Sequence, residues 1–132
     1  MAVTQYNSSE WVLEVAGVNI TQLGEDGVSG AKDEERISSS VGILGDTIES
    51  VIKDDRGTIT FSVQPTCPQL PHLMSLAKTT EFFSILATNK SLGISYGGTK
   101  ASLKNVPEIS GGNEAEDLEF EVQVYDYSVD MI

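Results

Sequence analysis

Alternating apolar and polar positions run through most of the chain and predict β-strands. The clearest cases are GTITFSV (57–63) and LEFEVQV (118–124). In both, every second residue is apolar, and all of these except Gly57 have large side chains. A period of two places successive residues on opposite faces of a strand, so we expect one face of each strand to lie in the core. The predicted core residues are Ile59, Phe61, Val63, Leu118, Phe120 and Val122.

Turn signals separate the strands and predict antiparallel pairing. The segment WVLEVAGVNITQL (11–23) alternates on both sides of Gly17, which predicts a hairpin or a bent strand. The segment RISSSVGILGDTIESVIKD (36–54) predicts two more strands around Gly42 and Gly45. A further turn at DDRG (54–57) predicts a hairpin over 46–65, with Gly57 supplying the positive φ of a short connection. Strands joined by such short turns form an antiparallel sheet.

One segment changes period and predicts a helix. The apolar residues between Leu70 and Ala77 follow the i, i+3, i+4, i+7 spacing of one helix face, which predicts a helix over 66–78. Thr66 and Gln69 fit a capping box at its start.

Two glycine- and acid-rich stretches, 24–35 and 110–117, predict a long loop and a second flexible segment. The chain as a whole, 1–132, is the size of one domain. The fold class that these patterns predict is mainly β: an antiparallel β-sandwich or barrel with one short α-helix.

The charge balance excludes a protein that wraps nucleic acid. Twenty acidic residues against eight basic ones give a formal net charge of −12, and no basic residue follows Lys104 in the sequence. Phosphate neutralisation needs clustered Lys and Arg. The surplus acid has two interpretations at this point: it keeps the protein soluble, or it forms a surface that repels an anion.

Enzymatic and metal chemistry find little support in the sequence. Cys67 and His72 are the only residues of their types, so no zinc ligand set exists, and their spacing does not favour a catalytic pair. The acidic runs lack the spacing of a calcium loop, and no glycine motif has the setting of a phosphate loop. We therefore expect no enzymatic activity and no cofactor.

The sequence also gives no membrane signal. No apolar run approaches the roughly 18 residues of a membrane span, and the N-terminal residues do not have the pattern of a signal peptide. We expect no membrane contact and synthesis in a host cytoplasm.

The polar faces of the strands in 34–65 carry Ser, Thr and Gln more than Lys and Glu. Exposed sheets are usually protected by charged side chains, so a polar but sparsely charged face suits a sheet that continues into further copies of the chain.

The order of these elements resembles the phage tail tube protein family. The patterns that carry the resemblance are GTITFSVQPTCPQLPHLMSL (57–76) and KNVPEIS (104–110), within an arrangement that covers nearly the whole chain. The resemblance implies two packed antiparallel sheets with a helix, hexameric rings that stack into a tube, and strands of all protomers joined into a continuous inner β-barrel. It places the protein in the virion tail.

The resemblance also implies partners. These are further copies of the chain in stacked hexamers, with sheath, tape-measure, baseplate and terminator proteins around them, and DNA that passes through the bore without being bound. The alternatives are another tail component of the same fold, such as a tube initiator or completion protein, and a ligand-binding β-sandwich.

Two sets of site residues follow from combining the resemblance with the alternation. The candidates for facing the lumen are Ser38, Ser40, Glu49, Thr58, Thr60 and Ser62. The candidates for contacts between subunits are Glu25, Asp26, Lys32, Asp33, Glu34, Glu35, Lys53 and Arg56.

Overall fold

Ten strands and one short helix make up the described part of the chain. A computed structural model describes residues 10–107, 111 and 116–131, so most of the predicted flexible stretch 110–117 and both chain ends lie outside the described residues. The elements are β1 (Trp11–Val15), β2 (Val18–Ile20), β3 (Leu23–Lys32), β4 (Ile37–Val41), β5 (Thr47–Val51), β6 (Gly57–Val63), α1 (Leu70–Ala77), β7 (Phe83–Asn89), β8 (Ile94–Leu103), β9 (Leu118–Val124) and β10 (Ser128–Met131). Helix α1, with eight residues, falls well short of the length that a bilayer crossing requires, and the described chain has no longer helix.

The main sheet is antiparallel and curls into a nearly closed barrel. Its strand order is β2-β1-β7-β8-β9-β6-β3, and β10 pairs with β8 beside β9. Strands β9 and β10 thus pair with different parts of the same edge of β8, and a break separates them. The Asp126 carboxylate fills this break by accepting hydrogen bonds from the backbone N–H groups of Thr99 and Lys100, each at 3.0 Å.

The inner face of the curled sheet forms the core. Phe61 and Phe120 face each other in a registered pair of β6 and β9, and their rings stack with centroids 5.3 Å apart. Leu73 of α1 is buried against this cluster. All six predicted core residues are buried. The predicted fold class, an antiparallel β-barrel with one short helix, is confirmed for the single protomer.

Of the two predictions for 11–23, a hairpin or a bent strand, the structure has the hairpin. Strands β1 and β2 pair directly, with Val15 opposite Val18. The two residues between them, Ala16 and Gly17, have φ values of 52° and 82°. A two-residue connection with positive φ at both positions matches the right-handed twist of the flanking strands.

The prediction of a long loop over 24–35 is wrong for most of its length. Residues Leu23–Lys32 form β3, which pairs with β6 along the edge of the main sheet. Glycine and aspartate are rare in strands, so the local sequence of β3 resembles that of a loop. Its pairing with the strongly alternating β6 holds it extended.

The predicted hairpin over 46–65 is wrong as well. Strand β5 pairs with β4, whereas β6 pairs with β3 and β9, so the two halves of this stretch belong to different sheets. Gly57 does not have a positive φ. It lies at the start of β6, where an added Cβ would come within 2.4 Å of the Tyr127 ring, so this glycine is needed for close packing instead of for a turn.

The helix begins four residues later than predicted, at Leu70, and the predicted capping box does not form. The Thr66 hydroxyl donates to Gln22 Oε1 at 2.8 Å, and Gln69 Oε1 accepts from the Thr21 hydroxyl at 3.0 Å. Both side chains therefore tie the start of the helix to the segment between β2 and β3. The later start also places Pro71 in the first turn, where its missing N–H costs no helical hydrogen bond.

Candidate functional site

A polar surface covers the side of β6 and β9 that faces away from the core. In the antiparallel register Thr58 lies opposite Gln123, Thr60 opposite Glu121, and Ser62 opposite Glu119. Opposed residues share a face of the sheet, so three rows of polar side chains lie side by side. We call these six residues the polar face.

One end of the polar face is held by a hydrogen-bond network. The Thr58 hydroxyl donates to Asp33 Oδ1 at 2.7 Å, and the Gln123 amide donates to Asp33 Oδ2 at 2.8 Å. Gln123 Nε2 also donates to the Gly57 carbonyl oxygen at 3.0 Å. The bonds from Gln123 and then Thr58 hold the pKa of Asp33 below its usual value, so Asp33 is a carboxylate at neutral pH.

The polar face carries a negative charge. Glu119 and Glu121 are exposed, and Lys104 lies beside them with its Nζ 3.7 Å from Glu121 Oε1. Lys104 Nζ also donates to the Thr58 hydroxyl oxygen at 3.2 Å. With Asp33 included, three carboxylates accompany one ammonium, a local charge of −2. Such a surface repels phosphate groups.

Of the three lumen candidates on β6, Thr58 and Thr60 are partly exposed on this face. Ser62 is buried, with a relative exposure of 5%, and its hydroxyl has no hydrogen-bond partner among the described residues. Ser62 therefore lies on the predicted side of the strand but is covered within its own chain. In the single protomer Ser62 is therefore not part of an open surface, unlike Thr58 and Thr60.

The other three lumen candidates lie on a separate two-stranded sheet, the β4–β5 hairpin. Its register pairs Ser38 with Ser50 and Ser40 with Ile48, which puts both candidate serines on one face. Glu49 lies opposite Ser39, on the other face. If Ser38 and Ser40 face the bore, Glu49 therefore points away from it on the opposite face of the hairpin.

The β4–β5 hairpin is strongly apolar for an exposed element. Every residue of both strands is exposed, and the tip residues Ile43 and Leu44 have relative exposures of 103% and 89%. A hydrogen bond from Gly42 N to the Asp46 carbonyl at 2.7 Å closes the tip. The exposed apolar residues of the hairpin are Ile37, Val41, Ile43, Leu44, Ile48 and Val51.

Several residues predicted to contact a neighbouring subunit have partners in their own chain. Arg56 forms a bidentate pair with Asp54, whose pKa is lowered to about 2 chiefly by this hydrogen bonding. Lys32 Nζ lies 3.8 Å from Asp55 Oδ1. Asp33 belongs to the network of the polar face.

The remaining candidates for subunit contacts are Glu34, Glu35 and Lys53, which are exposed, and Glu25 and Asp26, whose backbone lies in β3. The structure brings the basic residues Lys32 and Arg56 to acidic residues of the same chain at the root of the hairpin. A contact of these residues with another subunit remains a prediction.

The sequence prediction missed part of the polar face. The alternation of β9 already places Glu119 and Glu121 opposite the core, and this signal was sufficient to include them. Lys104 and Asp33 are different, because they join the face only through strand pairing between distant segments.

No catalytic arrangement links the lone cysteine and the lone histidine. The buried Cys67 thiol donates to Gln69 Oε1 at 3.3 Å, and His72 Nε2 lies 3.2 Å from the Val15 carbonyl oxygen. Each thus has a separate structural partner. Within residues 10–107, 111 and 116–131, no three His, Cys, Asp or Glu side chains are grouped to hold a metal ion.

The fold resembles chains from contractile injection systems. A chain in the sheath/tube terminator of an extracellular contractile injection system (PVC), in the extended state, aligns with a TM-score of 0.68 and 12% identity over 98% of this chain and 99% of that chain. A chain in the tube-terminating cap of the anti-feeding prophage (AFP) gives 0.67 and 12% over 100% and 96%. A chain in the extended PVC sheath–tube complex gives 0.65 and 14% over 94% and 90%.

These similarities cover nearly the full length of each chain, and at 12–14% identity they establish a common fold. No protein-family model matches the sequence. No curated protein sequence matches it either.

Proposed function

We propose that the protein is a tube subunit of a phage tail or a phage-like contractile particle. In this proposal hexameric rings of the chain stack into a hollow tube through which DNA passes. The observation that carries the proposal is the match in fold, over almost the entire chain, to chains from sheath–tube and terminator assemblies. The function is structural, without catalysis or cofactor.

Two surfaces of the protomer that lack a cover within its own described chain support this proposal. An isolated two-stranded hairpin is at best marginally stable in water, and the β4–β5 hairpin exposes six large apolar side chains. Strand β3 pairs only with β6 in the described sheet, so its other edge is open. Soluble monomers avoid long open edges, whereas subunits of an assembly use them. In the ring these strands join into a continuous inner β-barrel.

The electrostatics support passage of DNA rather than binding. We assign the polar face to the bore, with Thr58 and Thr60 as neutral lining and Glu119 and Glu121 as repelling charges. Each Lys or Arg contact with phosphate strengthens DNA binding by releasing a counterion. The basic residue beside the polar face, Lys104, lies 3.7 Å from Glu121, and the net charge of the lining is negative, so we expect DNA to slide through the bore.

The partners in this proposal are the other components of a tail. Copies of the same chain lie above, below and beside each subunit. Sheath, tape-measure, baseplate and terminator proteins contact the outside, the inside and the two ends of the tube. The mature location is the tail of the particle.

Negative-stain microscopy of the purified protein tests the proposal. We expect rings with a central hole and, at higher protein concentration, stacks of rings. Because a net charge of −12 opposes association, stacking should increase between low salt and about 0.15 M salt, where the screening length is about 8 Å. A protein that stays monomeric at every concentration and salt would contradict the proposal and favour a ligand-binding β-sandwich.

A second tail role also has specific support. Two of the similar structures described above contain a sheath/tube terminator and a tube-terminating cap. A terminator or initiator forms a ring that does not continue into a tube. Single rings that fail to stack at any concentration would favour this role over that of the repeating subunit.

A further inference from the structure

We propose that the β4–β5 hairpin of one copy docks along β10 of a second copy, in the cleft between β3 and β10. This inference rests on the proposed assembly and names the donor and the acceptor surfaces within it. The donor is the hairpin face that carries Ile37, Val41 and Val51. The acceptor, called the β10 cleft, is lined by Gly30, Ala31, Lys32, Arg36, Asp55, Asp126, Tyr127, Ser128 and Val129.

The donor surface requires a cover that its own chain does not provide. Ile37, Val41 and Val51 lie on one face of the hairpin, because Ile37 opposes Val51 in the register and Val41 is four residues from Ile37. Their relative exposures are 45%, 69% and 68%. The pair Ser39 and Glu49 lies between them on this face, so the apolar residues form one patch at the root of the hairpin and one near its tip. Together with the exposed tip residues Ile43 and Leu44, these patches mark the hairpin as an interaction site.

The acceptor surface offers both space and a free strand edge. The β10 cleft is open and has a volume of about 830 Å³. On the side away from β8, Tyr127 N donates to the Asp55 carbonyl at 2.9 Å, and beyond this bond β10 has no further strand partner in the described chain. Its Ser128–Met131 edge can therefore accept an added strand.

The β10 side of the acceptor includes apolar residues. Val129 lines the β10 cleft with 57% relative exposure, and the buried Tyr127 lines it as well. A strand added to β10 would bring side chains of the donor face beside Val129. β-Branched side chains such as valine pack well against neighbours on a pleated sheet.

Charge favours a second copy of this chain as the occupant. Segment 36–53 contains Arg36, Lys53, Asp46 and Glu49, a net charge of zero in a chain of −12. The β10 cleft carries two basic residues, Lys32 and Arg36, against two acidic ones, Asp55 and Asp126, and is also neutral. Two strongly negative molecules repel, so the surfaces that meet with least repulsion are the neutral ones.

The geometry of this contact is heterologous, because donor and acceptor are different surfaces of the same chain. A heterologous contact cannot end in a two-fold dimer; it closes into a ring or continues as a filament. The contact therefore supplies the lateral interaction that a ring requires.

Disulfide cross-linking tests the contact. The double variant Val41→Cys with Val129→Cys should form interchain disulfides up to the full ring when the assembled protein is oxidised. The matched control is Ser40→Cys with Val129→Cys, in which the adjacent residue on the opposite hairpin face carries the thiol. In the docked complex the first pair has an effective concentration near millimolar, so we expect it to cross-link on the order of a thousandfold faster than free monomers at micromolar protein. The control should cross-link far more slowly than the first pair, because its thiol lies on the hairpin face turned away from Val129. The parent protein, whose only cysteine is the buried Cys67, reports the background.

The outcomes separate this inference from the proposed function. Rings that assemble without a Val41–Val129 cross-link, or that cross-link only through Ser40→Cys, overturn the docking while the tube proposal stands. A chain that is monomeric under all conditions and gives no cross-link overturns both. A monomer that sediments with phosphatidylcholine vesicles through its hairpin identifies a lipid surface as the occupant and also overturns the docking.

A second variant guards against loss of folding. Val41→Glu with Val51→Glu should abolish rings yet leave the far-ultraviolet circular dichroism and the unfolding midpoint of the monomer unchanged, because neither side chain belongs to the core. The control, Leu92→Glu with Val106→Glu, adds the same charges at exposed apolar residues outside the hairpin and should still assemble. Equal assembly of both variants would overturn the inference.

Discussion

Thr58 and Asp33 are joined by a hydrogen bond of 2.7 Å between Oγ1 and Oδ1, which fixes the end of β3 to the polar face of β6. Asp33 was expected to contact a neighbouring subunit. The structure instead gives it two partners within the chain, Thr58 and Gln123. Three segments that are far apart in sequence therefore meet at one carboxylate.

Asp33→Asn should destabilise the protomer slightly. An amide cannot accept both hydrogen bonds as a carboxylate does, and at an exposed site we expect a loss of about 1 kcal/mol or less in the free energy of unfolding at pH 7. Urea unfolding, followed by Trp11 fluorescence, measures the loss. Glu35→Gln, which removes one charge from the same connection, is the control.

The effect of Asp33→Asn should depend on pH in one direction. The folded pKa of Asp33 lies below its ordinary value of 3.8, so its carboxylate stabilises the fold above about that pH and the contribution disappears as the pH falls through the folded pKa. The gap between the parent and Asp33→Asn should therefore narrow below pH 3.8. A gap that stays constant down to acid unfolding would show that the carboxylate is not responsible.

Gly57→Ala should destabilise the core by overpacking. A Cβ at this position would lie 2.4 Å from Tyr127 Cγ and 2.6 Å from Tyr127 Cβ, so the tyrosine must move. Overpacking of a filled site costs about 1–3 kcal/mol. Gly111→Ala, where an added Cβ meets nothing within 4 Å, is the control. Equal urea midpoints for the two variants would contradict the close packing of Tyr127 on β6.

Asp126→Ala should loosen the break between β9 and β10. The Asp126 carboxylate accepts from the backbone N–H groups of Thr99 and Lys100, and the bond from the Thr99 side chain is the main cause of its lowered pKa. Water replaces part of these bonds at an exposed site, so we expect a loss of about 1 kcal/mol. Amide hydrogen exchange at Thr99 and Lys100 should accelerate. Asp130→Ala on the neighbouring strand should leave both amides at their parent rates.

Glu119→Lys with Glu121→Lys should convert the proposed bore from repelling DNA to binding it. Each substitution changes the charge by two units, so the local charge of the polar face changes from −2 to +2. Glu10→Lys with Glu81→Lys changes the net charge of the chain equally at exposed positions elsewhere. In assembled tubes the first variant alone should retain DNA, with a retention that weakens as salt rises. Equal retention by both variants would place the polar face outside the bore.

The sequence predicted the face of a strand on which each residue lies more successfully than it predicted which strands pair. Alternation in β6 and β9 assigned Ile59 and Phe120 to the core, because a period of two sets the face of a residue whichever strand lies beside it. It contains no information on which strand that neighbour is. The pairing of β5 with β6 was therefore inferred from the DDRG turn alone and proved wrong.

Local preference also misled where tertiary contacts dominate. Gly24 and Gly30 made β3 resemble a loop, although an added Cβ at Gly30 would lie 2.8 Å from the Tyr96 ring, so that glycine serves packing in a strand. At the candidate site, the alternation identified Thr58 and Thr60 as outward-facing. The link from Asp33 to Gln123 spans 90 residues and depends on sheet topology, which no short pattern reports.

The register of β3 is interrupted by a bulge, and this affects what can pair with the open edge of the barrel. Four residues, Gly24–Gly27, lie between the pairs Leu23–Val63 and Val28–Phe61, where β6 has only Ser62. This bulge divides the open edge of the barrel into short pieces that bend apart. Amyloid-like stacking requires a flat and uninterrupted edge, so β3 is a poor template for it. We therefore expect this edge strand, which pairs with β6 on one side only, to accept a matching strand in an ordered assembly but to be a poor seed for fibrils.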